Sequence, residues 1–307
     1  MSKATMNINF MGVRKPLGIL SVLLVIASVV LLVTRGLNLG LDFTGGTTVV
    51  VKSPVDVELS QVRADLTAAG FGDAVAQHYG SPKEVNIRVA PKEGADADEV
   101  GHNVFAALKA HNGELELLKV EFVGPQVGDE LRDESGTAML LALGLMMLYV
   151  WFRFSNKFGV ATVVALFHDV IIVLGIFSLV QWPFDLTVLA AVLALIGYSL
   201  NDSIVVADRI REDFRNSRKS DPEQIINDAV NATFSRTINT SLTTLLVLVA
   251  LFFFGGEVMR SFSEALLVGI AVGTYSSIYV VSNILFMMKV SKEDFIIPEP
   301  EEIDEMP

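Results

Sequence analysis

Apolar residues along this chain are gathered into six long runs, which are separated by short polar stretches and by one long polar segment after the first run. An apolar run of about 18 or more residues can cross the hydrocarbon core of a bilayer as a helix. We therefore predict six membrane-spanning helices. Their apolar cores are Pro16–Thr34, Thr137–Trp151, Phe158–Val180, Leu186–Ala207, Ile238–Phe254 and Ala265–Met288. With flanking residues, the predicted spans are 16–34, 135–154, 158–180, 185–207, 237–254 and 265–288.

Lysine and arginine residues predict the orientation of these spans. They are found in the N-terminal segment 1–15, in the turn between spans 2 and 3, in the segment 208–236 and in the acidic tail 289–307. The turn Gln181–Asp185 has none, and the loop 255–264 has only Arg260. Because basic loops stay on the cytoplasmic side of a membrane, both termini are predicted to be cytoplasmic.

The first span follows a basic N-terminus, so it is either a cleaved signal peptide or an uncleaved anchor. Its core, Leu17–Val33, is longer than the apolar region of roughly 7–15 residues that is typical of signal peptides. No A-x-A cleavage pattern follows it. We therefore predict a signal-anchor that remains in the membrane as the first span.

The long polar segment 35–134 alternates apolar and polar residues over short stretches, as strands with one buried face do. The predicted strands are Thr47–Lys52, Ala74–Tyr79, Val85–Ala90 and Glu114–Val123. Helical patterns over Glu58–Ala69 and Ala95–His111 separate them, and a charged helical connector, Val127–Ser135, leads into span 2. The order β-α-β-β-α-β predicts a ferredoxin-like α+β domain on the exported side. The predicted fold class is thus an α-helical polytopic membrane protein with six transmembrane helices and this domain between helices 1 and 2.

Composition narrows the chemistry that is open to the chain. A net charge of −12 argues against nucleic-acid binding. The absence of cysteine excludes disulfides, thiol catalysis and thiolate metal sites. Three histidines, His78, His102 and His111, lie in the exported segment, but their spacing matches no metal motif, so we interpret them as surface residues. No metal and no cofactor other than a coupling ion is predicted.

A glycine-rich motif, Leu41–Thr47 (LDFTGGT), precedes the first predicted strand. The pair Gly45-Gly46 permits positive φ, and Asp42 and Thr44 are residue types that cap backbone amides, so the motif predicts a structural turn. A phosphate-binding loop is the alternative. We reject it because no Lys-Ser/Thr pair follows in the Walker pattern and no helix is predicted to open there. Energy input is therefore not expected from ATP bound to this chain.

Asp202 is the most informative residue, since it lies inside the fourth apolar run between Asn201 and Ser203. A carboxylate in hydrocarbon costs several kcal/mol, so such residues mark ion or proton sites by default. Asp202 precedes Ala207 by five residues, which places it about 7–8 Å inside the cytoplasmic end of the span. Arg236 enters span 5 from the same side, so an ion pair with Asp202 is geometrically plausible. A static ion pair, or an arginine that only reaches the lipid headgroups, remains the structural alternative.

Other polar groups lie within the predicted spans. His168 and Asp169 fall near the middle of span 3, where either a proton relay or a hydrogen bond that fixes helix packing is possible. Span 6 carries Gly269-x-x-x-Gly273, a small-residue face that predicts close helix packing. Hydroxyl and amide residues follow Arg236 along span 5 and predict interhelical hydrogen bonds, a hydrated path, or both.

Four motifs in one order carry a family resemblance. They are Leu41–Thr47 (LDFTGGT), Ala165–Val170 (ALFHDV), Gly197–Glu212 (GYSLNDSIVVADRIRE) and Phe234–Ser241 (FSRTINTS). Together they resemble the SecF branch of the SecD/SecF family of bacterial protein-export subunits, which are half-transporters of the resistance-nodulation-division type. The similarity extends over nearly the whole chain, including the six spans, the single large first loop and the acidic tail.

The resemblance implies a function as well as a fold. It implies a bacterial inner-membrane subunit that pairs with SecD, associates with the SecYEG channel and helps to pull exported unfolded polypeptides by using the proton or sodium gradient. YajC and YidC are further candidate partners. By motif, Asp202 matches the carboxylate that is linked to proton conduction, Arg236 matches the basic residue associated with it, and segment 35–134 matches the small periplasmic domain. A single half of six spans also lacks the second half that such transporters use, so a partner must supply it.

Two other functions stay open on the sequence alone. Asp169 and Asp202 are two carboxylates that an intramembrane protease could use, although the chain lacks the G-x-G-D and H-E-x-x-H patterns. A purely structural assembly subunit, without ion coupling, is the third hypothesis. The ion-coupled export subunit is not an enzyme in any of its predicted steps, and its predicted coupling residues are Asp202, Arg236, Asp169, His168, Asn201 and Ser203.

Overall fold

A computed structural model describes residues 8–91, 97–111, 113–154, 156–216, 221–291 and 294. Within these ranges, six helices are long and apolar enough to cross a membrane. They are α1 (Arg14–Thr34), α5 (Pro125–Arg153), α6 (Asn156–Val180), α7 (Leu186–Asn216), α8 (Pro222–Phe254) and α9 (Gly256–Met287). A 3₁₀ turn, Met11–Val13, precedes the first of them.

Several of these helices extend past the predicted spans. The connector Val127–Ser135 is not a separate element, because α5 runs without interruption from Pro125. The segment 208–236, predicted as a cytoplasmic loop, is largely helical on both sides of its undescribed residues 217–220. Ion pairs at helical spacing support this extension, since Arg209 contacts Glu212 and Asp213 at 3.1 Å each. These helices are therefore longer than the apolar runs within them.

The segment 35–134, which is predicted to be exported and is called the exported domain below, folds as a four-stranded antiparallel sheet with two helices. Its elements are β2 (Gly46–Lys52), α3 (Leu59–Ala68), β3 (Val75–Tyr79), β4 (Ser81–Val89), α4 (Ala97–His111) and β5 (Glu116–Val123). The strand order is β3-β4-β2-β5, with β2 paired to both β4 and β5. Residues 95 and 96, where the second helix was predicted to begin, lie outside the described part of the chain.

The core of this domain forms between the sheet and the two helices. Val49 and Val51 of β2, Ile87 of β4, Leu66 of α3 and Leu108 of α4 are all buried in one apolar cluster. No disulfide is available in a chain without cysteine, so burial of this cluster carries the stability of the domain.

Two short elements were not predicted. A helical turn, α2 (Leu41–Thr44), occupies the LDFTGGT motif, and a two-stranded parallel pair joins β1 (Asn38–Leu39) to β6 (Pro183–Phe184). Sequence periodicity cannot detect two-residue strands, and their pairing partner lies far away along the chain. The prediction that no helix opens at this motif is corrected by α2, although one turn is too short to offer a phosphate site.

Two compact units divide the chain. The helical unit comprises Met1–Gly36, Ala142–Val180 and Ala190–Pro307, and the sheet unit comprises Leu37–Leu141 and Gln181–Leu189. Within the helical unit α1 packs very closely on α6, because a Cβ placed on Gly175 would overlap the side chain of Ser28. Ser178 Oγ donates to the carbonyls of Leu31 (3.0 Å) and Gly36 (2.7 Å) and so closes the end of this contact.

Candidate functional site

Asp202 lies on α7 with only 3% of its surface exposed. Its Oδ2 is buried and has no hydrogen-bond partner among the described residues. Its two neighbours on the helix differ, since Ser203 is buried and Asn201 is exposed. A buried carboxylate oxygen without a partner is costly, which makes it a ready acceptor for a proton or a cation.

The Asp202 carboxylate lies within the electrostatic influence of two side chains of α8, Arg236 and Ser241. Asp202 and Arg236 are both described, and they form no ion pair within 4.0 Å. Arg236 is exposed at the surface of the chain, so its guanidinium remains free to change position. The predicted meeting of these two residues is thus seen as an attraction across a gap, and not as a closed pair.

Ser241 of α8 is hydrogen-bonded to α9 and to α7, the helix that carries Asp202. Its Oγ lies 2.7 Å from Thr274 Oγ1 of α9, and Tyr198 Oη of α7 donates to it over 3.4 Å. Hydroxyl groups both donate and accept, so this chain can reorganise when the carboxylate changes its charge. The sequence indicated hydroxyls on span 5 but not which of them would contact α7 and α9.

Asp169 is the second intramembrane carboxylate, and it is completely buried. Its Oδ1 lies 2.8 Å from His168 Nδ1, while its Oδ2 accepts hydrogen bonds from Ser199 of α7 and, at 2.9 Å, from Ser276 of α9. The two serines were not predicted as its partners. A carboxylate whose two oxygens are both occupied is stabilised in place, so Asp169 ties three helices together.

His168 differs from its neighbour in having a free ring nitrogen. It is 6% exposed, its ring stacks on Tyr275 at a centroid distance of 6.2 Å, and its Nε2 has no partner among the described residues. Adjacent helix residues point about 100° apart, which suggests that His168 and Asp169 would face different neighbours, but both contact α9, at Tyr275 and Ser276, and they also bond to each other.

The two carboxylates thus occupy environments of opposite kinds. Both oxygens of Asp169 are hydrogen-bonded to other side chains. Oδ2 of Asp202 has no hydrogen-bond partner among the described residues, and Asp202 forms no ion pair with Arg236. Of the two, Asp202 is the group that can exchange a proton or a small cation without first breaking a network.

Gly269 and Gly273 provide the surface on which α7 and α6 pack. A Cβ on Gly269 would meet Leu195 Cδ2 at 2.6 Å, and one on Gly273 would lie 3.6 Å from Asp169 Oδ2. The close-packing interpretation of this face accounts for both contacts, because larger residues would separate α9 from the carboxylate cluster.

The polar stripe of α8 divides into two parts. Thr240, Thr243 and Thr244 donate to carbonyls one turn earlier in their own helix, so they offer no hydrogen to a neighbour. Thr237 is buried and its Oγ1 has no partner among the described residues. The stripe therefore contributes Thr237 and Ser241 to the interior.

The glycine motif is joined to the turn before α7, and both belong to the sheet unit. Asp42 Oδ2 accepts a hydrogen bond of 3.0 Å from the backbone N–H of Leu186, the first residue of α7. The ring of Phe43 stacks on Phe184 with centroids 6.0 Å apart. Asp42 is of a residue type expected to cap backbone amides, and the amide that it accepts belongs to a segment 144 residues away. Thr44, also predicted to cap an amide, instead donates to the Gly40 carbonyl at 3.0 Å.

Arg88 of β4 also forms hydrogen bonds next to the glycine motif. Its guanidinium donates to the Leu39 carbonyl and, over 2.8 Å, to Asn38 Oδ1. Asn38 in turn donates to the Gln181 carbonyl at 2.8 Å. Burial lowers the pKa of Arg88, because loss of water disfavours its charged form.

Asp185, in the turn before α7, is a second carboxylate that interacts with Asp42. It accepts a hydrogen bond of 2.8 Å from the Val188 N–H. Burial raises the pKa of Asp185, the hydrogen bond from Val188 opposes the rise, and the negative charge of Asp42 adds to it. Asp42 and Asp185 thus cap separate amides of the first turn of α7.

The remaining positions considered in the sequence are the three histidines of the segment 35–134 and the acidic tail. His78 and His102 are exposed, and the side chain of His111 lies outside the described residues. Among the residues that the structure describes, no group of three or more His, Asp or Glu could hold a metal ion. Most of the acidic tail also lies outside that part of the chain.

Comparison with known proteins decides the family. The sequence matches the family "Protein export membrane protein SecD/SecF, C-terminal" over residues 103–291 and the "SecD/SecF GG Motif" over residues 30–53. The chain belongs to the SecD/SecF family. It is 46% identical to the protein translocase subunit SecF of Vibrio alginolyticus, over 99% of this chain and 98% of that protein. It is 45% identical to SecF of Pseudomonas aeruginosa, over 98% of each chain.

A solved structure of the family shares the fold. The SecDF crystal structure from Thermus thermophilus superposes with a TM-score of 0.84 at 40% identity, covering 94% of this chain and 40% of that longer chain. A SecDF structure in the super-membrane-facing form gives a TM-score of 0.69 at the same coverage. The chain is therefore a multi-pass membrane protein of the SecF branch, and it spans less than half of a SecDF polypeptide.

Proposed function

We propose that this protein is an ion-driven subunit of the Sec export machinery. In this role it acts with SecD and uses the proton or sodium motive force to promote late steps of polypeptide translocation through SecYEG. The observation that carries the proposal is the buried, unpartnered Oδ2 of Asp202, which lies within the influence of the exposed Arg236. The proposal includes a location in the bacterial inner membrane, with both termini in the cytoplasm.

Exposed polar groups on membrane helices support a protein partner beside α7 and α8. Asn201, Arg236 and Asn239 are all exposed at the surface of this chain, although they lie on helices that cross the bilayer. Such groups are expensive against lipid and are normally covered by protein or water. A second half of related fold, as in the longer SecDF chain, is the partner that this surface requires, and we assign SecD to it. SecYEG, YajC and YidC are partners proposed from family resemblance.

The proposed mechanism rests on a change of charge at Asp202. An ionised Asp202 attracts the Arg236 guanidinium, whereas a protonated or sodium-bound Asp202 does not. Ser241 would then exchange its hydrogen-bond partners among Thr274, Tyr198 and the carboxylate. Two arrangements of α7 and α8 follow, and the ion gradient shifts the population between them. Because an ion enters from one side and leaves to the other, the shift repeats with each ion.

Export into membrane vesicles with separately imposed gradients tests this proposal. Vesicles that contain the complex receive either a pH gradient or a sodium gradient, and the late export rate of a stalled substrate is measured. One of the two gradients is expected to raise the rate several-fold. Equal rates with neither, either and both gradients would contradict ion coupling and favour a purely structural subunit.

Arg236 offers a second test, because charge and shape can be varied separately. Arg236→Lys keeps the positive charge and is expected to retain most gradient-dependent export. Arg236→Gln removes the charge that acts on Asp202 and is expected to lower it several-fold. The matched control is Arg209→Gln, which removes a half-buried arginine paired with Glu212 and Asp213 on α7. Equal export by the Lys and Gln variants would show that the Arg236 charge has no role.

The protease hypothesis is not favoured by any contact in the described residues. Asp169 uses both oxygens to accept hydrogen bonds from its own chain, so neither is free to activate a water molecule. The pair of carboxylates therefore has one free member, and general acid–base work by a pair requires two.

A further inference from the structure

The first turn of α7 is held by the exported domain through a set of contacts around the glycine motif. Asp42 accepts the Leu186 N–H, and the Phe43 ring stacks on Phe184. The strands β1 and β6 pair in parallel, with Asn38 opposite Pro183 and Leu39 opposite Phe184. Every one of these contacts joins residues that lie within the sheet unit.

Among these contacts, the hydrogen bond to Asp42 is the one made by a residue of α7, Leu186. The first amides of any helix lack partners within it, and a carboxylate there also interacts favourably with the positive end of the helix dipole. Asp185 caps Val188 and cannot cap Leu186 with the same geometry, so the more distant Asp42 supplies that acceptor. A hydrogen bond to an ionised acceptor is stronger than one between neutral groups.

The same helix carries Asp202. α7 is helical from Leu186 to Asn216 and contains no proline, so no proline kink separates its first turn from Asp202. Asp202 follows Leu186 by sixteen residues, which corresponds to about 24 Å along the axis. A helix that is rigid over this length transmits a shift or rotation at one end to the other.

We propose that Asp42 is a positioning residue that fixes the start of α7 to the exported domain, so that movement of α7 driven by an ion at Asp202 is delivered to that domain. This inference rests on the proposed ion coupling for its consequence in export. The attachment itself does not depend on that coupling and has its own measurement.

The attachment is measured by hydrogen–deuterium exchange of the full chain with its partner in lipid nanodiscs. Asp42→Ala is expected to raise exchange at the amides of residues 186–188, and Asp42→Asn, which keeps an acceptor oxygen, is expected to raise it less. Asp73→Ala is the control, because Asp73 is an exposed carboxylate of the same domain. Unchanged exchange at residue 186 in Asp42→Ala would overturn the attachment.

Measurements of export and of ion uptake in the same vesicles test whether movement of α7 reaches the exported domain through Asp42. Asp42→Ala is expected to reduce gradient-dependent export several-fold while ion uptake continues, whereas Asp202→Asn is expected to lose both. Asp73→Ala is expected to retain both. If Asp42→Ala exports at the wild-type rate, the transmission role is wrong. If Asp202→Asn does so, the failure lies in the proposed function, and the exchange result still stands.

An engineered disulfide tests whether the loss of the attachment, and not another effect of Asp42→Ala, is what reduces export. The chain has no cysteine, so Asn38→Cys with Pro183→Cys gives a single possible cross-link. Adjacent strands lie about 4.8 Å apart, within the distance that a disulfide spans. Added to Asp42→Ala, the oxidised cross-link is expected to restore gradient-dependent export, and reduction is expected to remove it. The same cysteine pair in the otherwise unchanged chain is the control. No recovery on oxidation would overturn the proposal.

Discussion

Export into vesicles that carry Asp202→Asn is expected to proceed at one rate, whether or not an ion gradient is imposed. Asparagine has nearly the shape of aspartate but can neither ionise nor take up a proton, so the switch beside Arg236 is fixed in its neutral form. The gradient-dependent part of export should therefore disappear completely. Folding should be retained, because Asp202 Oδ2 makes no hydrogen bond to the described residues that the substitution would break.

Asp208→Asn is the matched control for this experiment. Asp208 lies on the same helix and forms a 2.6 Å ion pair with Arg153, in which both side chains are more than a third exposed. An exposed pair of this kind contributes at most about 1 kcal/mol, so its loss should leave gradient-dependent export intact. Gradient-dependent export in Asp202→Asn at the wild-type level would remove Asp202 from the mechanism.

Gly46→Ala is expected to unfold the exported domain in a substantial fraction of molecules. Gly46 has φ +114°, which L-residues rarely adopt, and a Cβ there would overlap the carbonyl oxygen of Val89. That oxygen belongs to the central strand pair and cannot move aside without breaking the β2–β4 register. Backbone strain and overpacking each cost about 1–3 kcal/mol, and a small domain has only a marginal reserve against their sum.

Two other glycines in the same domain separate the causes. Gly70 has φ +85°, and a Cβ added there would have no atom within 4 Å, so Gly70→Ala should show the backbone strain alone. Gly124 has neither feature, and Gly124→Ala should be close to neutral. Pulse proteolysis of the full chain over a denaturant series reports the midpoint for each variant. From highest to lowest, the midpoints should follow the order Gly124, Gly70, Gly46; a Gly46→Ala midpoint equal to that of Gly124→Ala would exclude the clash.

The features that sequence predicted well are those set by neighbouring residues. A bilayer-length apolar run is a local property, so six long apolar helices were predicted and are found, and α6 ends at Val180, where its apolar run ends. Strand alternation is also local, and β2, β3 and β5 begin within two residues of their predicted starts. The strand β4 begins at Ser81 and not at Val85, because Pro82 and Lys83 interrupt the alternation that defined the prediction.

The features that sequence missed depend on residues far apart along the chain. Nothing near Asp42 indicates that its partner is the amide of residue 186, since backbone amides look alike in any sequence. Likewise Asp169 and Asp202 are both single carboxylates in apolar runs, and their difference comes from Ser199 and Ser276 on other helices. Packing between helices decides which buried carboxylate has hydrogen-bond partners for both oxygens. The sequence pattern of a single helix carries no information about that packing.

The position of β2 at the centre of its sheet has a consequence for the time at which the exported domain can form. One of the two partners of β2 is β5, whose last residue, Val123, follows Gly46 by 77 positions. At a synthesis rate of roughly 5–20 residues per second, on the order of 4–15 s separate the emergence of these two strands. During that interval the valines of β2 have an open edge, a condition that favours aggregation. Newly made chains should therefore depend on chaperones for seconds, until the second edge is closed.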